Sequence, residues 1–342
     1  MNRSSIGSCR PYFILFLCVL GWDCVAKDLR FSVNTVRDRM ENDSVYSHDA
    51  VYYLTKGSAQ IGIYSRQPYK RIGSICCHRG KFTDEYFLKG GFGDYRLLQA
   101  VKSGDGLEEL LVSIYSVEGD LLAGPKKSHS VREGLLAVDR ERTHFAVLNE
   151  KSIEVYDSDL NRVKEHLFSA DLIDVESVAI SNKVSGALIK DAESLVFIDF
   201  RTGEETFIDS CNMPKGTQFR MVSYEATLNK FLMVSQSGSS CVIDENVVQE
   251  FEVDVTGKLG SVYATNDVLL VVTSDTVAAL DANTFTLNGL FELKTYYENK
   301  FGKDPAVRPF FVQNEYDYSS NTMYLSGGGN TGSFFELKPI KQ

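Results

Sequence analysis

The chain has 342 residues, of which 43% are hydrophobic and 24% charged, with a net charge of −10 and a pI near 5.1. An acidic excess of this size argues against a partner that is itself a dense polyanion, so nucleic acid and anionic lipid are not expected ligands. The length suits two ordinary domains or one long repeat array, and only internal repetition separates the two.

The first 26 residues have the features of a secretory signal peptide. Arg3 and Arg10 precede a nine-residue apolar run, Tyr12–Leu20, and Cys24-Val25-Ala26 supplies the small residues of a cleavage site. A membrane span needs about 20 apolar residues, and this run stops at Gly21-Trp22-Asp23. Cleavage after Ala26 would leave 316 residues, a single domain from 27 to 342 with no transmembrane segment, in the secreted fluid or an ER or vesicle lumen. Asn42-Asp43-Ser44 is the expected N-glycosylation site of that chain.

Along the rest of the sequence one element recurs. It is an apolar strand ending in an aromatic or acidic position, then a turn, then another strand. Its copies begin IGIYSRQPYKRI, LVSIYSVEGDLLAG, IEVYDSDLNRVKE, LVFIDFRTGEETF, SCVIDENVVQEFEV, VAALDANTFTLNGL and GSFFELKPI. Anchored on Tyr64, Tyr115, Tyr156, Asp199, Asp244, Asp281 and Glu336, the spacings are 51, 41, 43, 45, 37 and 55 residues. Two further strands precede most anchors, as in FRMVSY and KFLMVS. The cleanest copy, Gly134–Ser169, reads as four strands: LLAVD, FAVL, SIEVYD and VKEHLF. Alternation with period two marks half-buried strands, and about 45 residues per unit is the length of a four-stranded propeller blade.

These units predict an all-β, seven-bladed β-propeller. Its last unit lacks a fourth strand, and Leu29–Val36 is an unassigned strand at the other end of the chain, so the N-terminal strand is expected to close the last blade. Lys294–Lys303 is the best candidate for a short helix. Units such as LLVVTSDTVAALDANTFTLNGLFEL resemble the YVTN-type and WD40-like propeller repeats, which end the third strand in an acidic residue before a turn. The resemblance covers nearly the whole mature chain at superfamily level. It implies the fold and carries no functional residues, since the Trp-Asp dipeptide is missing.

Chemistry is sparse in the sequence. There is no Gly-x-Ser-x-Gly, and the five histidines stand singly. Gly90-Gly91-Phe92-Gly93 and Gly327-Gly328-Gly329 read as hairpin turns, because no helix follows to bind an anion. Glu133 and Glu176 precede innermost strands of consecutive units, where a Ca²⁺-dependent propeller hydrolase would hold its ion, while Arg220, Lys258 and Arg308 take the equivalent places elsewhere. Such a mixed-sign mouth suits salt-bridged closure or a polar ligand better than a bare cation.

Two stretches read as long connections between blades. Gly119–Gly134 holds the basic PKKSHSVR, and 290–309 holds Tyr296, Tyr297, Phe301, Lys300 and Arg308, the residue types of protein-interaction hot spots. Four cysteines remain after the signal segment. Cys211 and Cys241 both lie in or beside unit 5 and are the expected disulfide, leaving Cys76 and Cys77 as a vicinal bond or as thiols. The function this supports is a secreted or lumenal propeller that needs no cofactor and binds a protein through one face of the ring. The alternative is a lactonase- or hydrolase-type enzyme with a central Ca²⁺.

Overall fold

The computed structural model describes residues 30–37, 45–76, 83–103, 109–129, 136–209, 211, 217–223, 230–301, 313–326 and 333–340, apart from positions 48, 57–59, 67, 150, 171, 173–174, 193, 245–246 and 266. Strands dominate, and they form seven antiparallel four-stranded sheets arranged in a ring, a seven-bladed β-propeller. The innermost strands are Val45–Tyr46, Thr83–Lys89, Leu136–Val138, Ser177–Ile180, Phe219–Ser223, Leu259–Ala264 and Gln313–Asp317. Each blade steps outward from its innermost strand by consecutive hairpins.

The seventh blade is the exception. Its third strand, Ser333–Ile340, pairs on its outer side with Arg30–Arg37, in antiparallel register from Arg30 opposite Ile340 to Arg37 opposite Ser333. The N-terminal strand closes the ring as the sequence predicts, displaced by one residue. Ring closure leaves no blade face without a neighbour, which is how a propeller protects its sheets. Phe31 of the closing strand also packs against Phe291 of blade 6, the rings tilted with 5.8 Å between centroids, so it is held by packing as well as by the ladder.

Burial follows strand position. The second strand Val268–Thr273 is buried at every residue, and His144–Leu148 and Lys230–Ser235 at all but the first. Outermost strands such as Arg162–Leu167 and Val247–Glu252 alternate between exposed and half-buried positions. Apolar clusters fill the spaces between adjacent blades. Leu269, Val271 and Val262 of blade 6 meet Leu232 and Val242 of blade 5, and Ile153 and Val155 of blade 3 meet Ile189 and Val196 of blade 4. A continuous apolar second strand is what a strand needs when another sheet covers each of its faces.

Three expectations change in detail. Third strands do end at the repeated acidic position, with Asp157, Asp199, Asp244 and Asp281 closing theirs. Glu336, however, lies mid-strand opposite Asn34 and Tyr324, because the last strand runs on to Ile340. The basic stretch after Gly119 is not a connection, since Leu121–His129 is the outermost strand of blade 2. A rim strand tolerates Pro125 because only one of its edges is paired. Gly119 itself turns with φ +97°, and a Cβ there would come within 2.4 Å of the Ser74 carbonyl oxygen, so blade 2 packs turn against strand on blade 1. The short helix spans Leu293–Phe301, following the last strand of blade 6.

Candidate functional site

Every blade runs from axis to rim in the same order. Turns from first to second and from third to fourth strand therefore open on one face, here the proximal face. The turns from second to third strand and the blade-to-blade connections open on the other, the distal face. In blades 3 and 4 the turns after the innermost strands use one local device: a buried hydroxyl or carboxylate caps the turn's own amides. Ser181 Oγ accepts from the N–H groups of Ser185 (3.1 Å) and Gly186 (2.8 Å). Asp139 Oδ1 accepts from Thr143 N–H (2.7 Å) and His144 N–H (3.1 Å), and its Oδ2 accepts from the Thr143 hydroxyl (2.8 Å). Local capping of this kind sets the turn from within.

In blade 3 the Asp139 turn has a further effect. It places Arg142 in the left-handed region, φ +62°, where a side chain is uncommon. The turn is held on two sides: Arg142 N–H donates to the Asp139 carbonyl (3.0 Å), and Lys89 N–H of blade 2 donates to the Arg142 carbonyl (2.7 Å). From this position the Arg142 guanidinium crosses the axis and forms an ion pair with Glu315 of blade 7. The two side chains are only 18% and 14% exposed. Arg140 of the same turn lies over the Tyr318 ring, 3.9 Å from its centroid, and Arg142 stands 5.9 Å from that of Tyr86.

These groups belong to an axial cavity of about 420 Å³. Its wall includes Tyr86, Tyr263, Tyr316 and Tyr318, with Arg140, Arg142, Arg220 and Glu315, and aliphatic side chains such as Val138, Ile180 and Met221. The Tyr263 and Tyr316 rings are 5.4 Å apart, and Tyr316 and Tyr318 meet edge to face at 4.9 Å. Burial and the nearby Asp84 push the Tyr86 hydroxyl up to about 12, and burial does the same for Tyr318 against the opposing pull of Arg140 and Arg142. Burial together with the Glu315 charge lifts Tyr263 well above its usual range. These phenols therefore stay protonated at neutral pH. Burial also raises Glu315, with Arg142 working in the opposite direction.

The mixed-sign axis expected from the sequence is present, but different residues make it. Arg220 does line the cavity, its guanidinium fixed by Nε–H donating to the Gly260 carbonyl (2.7 Å) and Nη1–H to the Phe219 carbonyl (3.1 Å). Glu176 is exposed just before its innermost strand, is not among the cavity residues, and donates its N–H to the Lys190 carbonyl (2.8 Å). Lys258 is exposed as well. Glu133, Arg308, Asn42 and Cys77 lie outside the described residues, as does the side chain of Cys76. Among the described residues no group of three His, Cys, Asp or Glu is placed to hold a metal ion. In the sequence, Arg140 and Arg142 sit in the polar break RERTH. The available signal was that Asp139 and Asp317 occupy the same repeat position, which puts Arg140, Arg142, Glu315 and Tyr318 at the axis together.

Cys211 and Cys241 stand at disulfide distance, with S–S 2.02 Å and Cα–Cα 6.2 Å. Tyr296 of the helix is half-buried against Phe291, 5.4 Å between centroids, at the edge of the core between blades 6 and 7. The side chains of Tyr297, Lys300 and Phe301 are outside the described set.

The proximal face of blades 1 and 2 carries a second feature. Gly90–Gly93 form the tip of the hairpin between Thr83–Lys89 and Tyr95–Ser103, with the Gly93 N–H donating to the Gly90 carbonyl (3.1 Å). Phe92 at that tip is 99% exposed. The neighbouring blade 1 turns expose Val51 (42%) and Tyr69 (48%), and Tyr69 stacks on Tyr64, which stacks on Tyr53. Asp49 ties the two blades' turns together, accepting from the Tyr95 hydroxyl with Oδ2 and from Val51 N–H (3.0 Å) with Oδ1.

No family model matches the sequence, and no curated protein matches it.

Proposed function

We propose that this protein is a secreted or lumenal binding module that engages another protein through the proximal face of blades 1 and 2. The observation that carries this reading is Phe92, a large apolar side chain held almost entirely in solvent at a hairpin tip, beside Val51 and Tyr69 on the same face. Scattered apolar residues on a surface need no partner. An aromatic at a tip, with a tyrosine stack and an aliphatic side chain on adjoining turns, has the composition of an interaction hot spot. The propeller suits the task because its turns are displayed on a rigid ring. The apolar N-terminal run followed by a cleavage sequence, and a cysteine pair at disulfide distance, support a secretory location.

The test uses the full chain expressed with its N-terminal segment. A photo-crosslinking residue at position 92 is compared with one at position 207 on the rim, and captured proteins are then measured for affinity against Phe92→Ser and Tyr69→Ser. Burying a Phe side chain is worth about 2–3 kcal/mol, so Phe92→Ser should weaken binding by roughly 30- to 150-fold without lowering the melting temperature. Tyr297→Ala probes the helix on the distal face. Retained affinity in the Phe92 and Tyr69 variants, with loss in Tyr297→Ala, would reassign the interface to that side.

A further inference from the structure

We propose that the axial cavity is a binding site for a small organic anion, a carboxylate on a flat body. The inference is independent of the protein-binding reading and concerns the centre of the ring. Four observations lead to it. First, at about 420 Å³ the cavity is within the range of small-molecule sites.

Second, its charge runs against that of the chain. Arg140, Arg142 and Arg220 line the wall together with Asp139 and Glu315. The Asp139 carboxylate is occupied by its own turn, through Thr143 N–H, the Thr143 hydroxyl and His144 N–H. Three guanidinium groups against two carboxylates leave the charged lining at a net +1, inside a protein of net charge −10.

Third, two of the three guanidinium groups are fixed in place and keep donors in reserve. Arg142 places one terminal nitrogen on Glu315, and Arg220 places Nε and Nη1 on backbone carbonyls. A guanidinium has five N–H donors in a rigid fork, so each of these can still present donors to a carboxylate at little entropic cost. Fourth, the remaining wall combines aliphatic side chains such as Val138 and Ile180 with the rings of Tyr86, Tyr263, Tyr316 and Tyr318, which offer flat faces for a planar body. The ligand class follows from these groups: negative charge for the forks, a flat apolar body for the rings, and a size set by the cavity.

Benzoate, benzamide and benzamidine share one shape and carry charges of −1, 0 and +1, so they isolate the charge preference. Each is titrated into the purified full-length protein by calorimetry and by thermal shift at up to 10 mM. Benzoate should bind at least tenfold more tightly than benzamide, and benzamidine more weakly than either. Arg220→Ala, which removes an exposed side chain held on two backbone carbonyls, should weaken benzoate at least tenfold and leave benzamide unchanged. Arg142→Met should do the same, and if it fails to fold, Arg220→Ala carries the test alone. Equal binding of the three probes, preference for benzamidine, no benzoate binding at 10 mM, or unchanged affinity in Arg220→Ala would each overturn the assignment.

Discussion

The Arg142–Glu315 pair gives the sharpest test of the axis. Both side chains are less than a fifth exposed, which places the pair well away from the solvent-screened surface bridges worth about 0–1 kcal/mol. Breaking a buried pair by removing one partner costs about 3–5 kcal/mol, because the other charge is left in a medium that solvates it poorly. Arg142→Met leaves Glu315 in that position, and Glu315→Leu leaves Arg142 with the Tyr86 ring as a weak substitute. Replacing both by apolar residues removes the two desolvation costs together, and such replacements are commonly neutral or stabilising. At about 2.1 cal/mol/K per residue, a chain of roughly 300 residues has an unfolding entropy near 0.6 kcal/mol/K, so each single variant should lose about 5–8 °C. The double variant should melt within about 2 °C of the parent. Scanning calorimetry with urea titration of the four proteins gives the coupling energy as a double-mutant cycle. Additive losses, with the double variant falling by the sum of the singles, would show that the two residues do not act as a pair and would sink the reasoning.

Other expectations can be checked in the same way. Removing residues 27–37 takes away a ladder of eight paired residues and leaves Ser333–Ile340 as a bare edge. At about 0.5–1 kcal/mol per hydrogen bond the loss is roughly 4–8 kcal/mol, and a synthetic 27–37 peptide should bind and restore the melting temperature; an unshifted melt in the truncated chain would refute closure by this strand. Asn182 is 2% exposed, and neither of its amide atoms has a partner among the described residues, so Asn182→Ala should leave stability unchanged or raise it by about 1–3 kcal/mol. A loss above about 1 kcal/mol in chemical denaturation would contradict that. On the acid side, Arg201 holds the Asp199 carboxyl low, Ser169 and His166 outweigh the burial of Glu205, and the amides of Thr284 and Asn283 outweigh that of Asp281. Depressed carboxylates stabilise the fold above their unfolded values near 4 and lose that contribution as pH falls through their folded values, so stability should decline on acidification below about pH 5. Asp281→Asn should flatten the decline, and an unchanged slope would count against the linkage. Glu315, raised by burial, has the opposite sign, contributing at low pH and losing that contribution as pH rises through its folded value.

Local pattern was enough to determine the fold. Strands with a period of two, an acidic residue closing the third strand of four of the blades, and an unassigned strand before the first blade each depend on residues close together in sequence, and all three are seen in the structure. The cysteine pair was legible for the same reason, since Cys211 and Cys241 are 30 residues apart and lie in or beside the same unit. Only the tertiary structure could decide the axis. Arg142 and Glu315 are separated by 173 positions, and their meeting depends on a left-handed turn and on the ring closing with blades 3 and 7 across the axis from each other. Composition could say that the mouth would be mixed in sign, and Arg220 was correctly placed, but a run such as RERTH reads as a solvated turn until the Asp139 cap aims its arginines inward. Phe92 was legible as part of a glycine hairpin, whereas its exposure is a property of the assembled face. Periodicity records which residues a strand must bury. Which side chains meet at the centre of a closed ring is decided by long-range geometry, and no local window of sequence contains it.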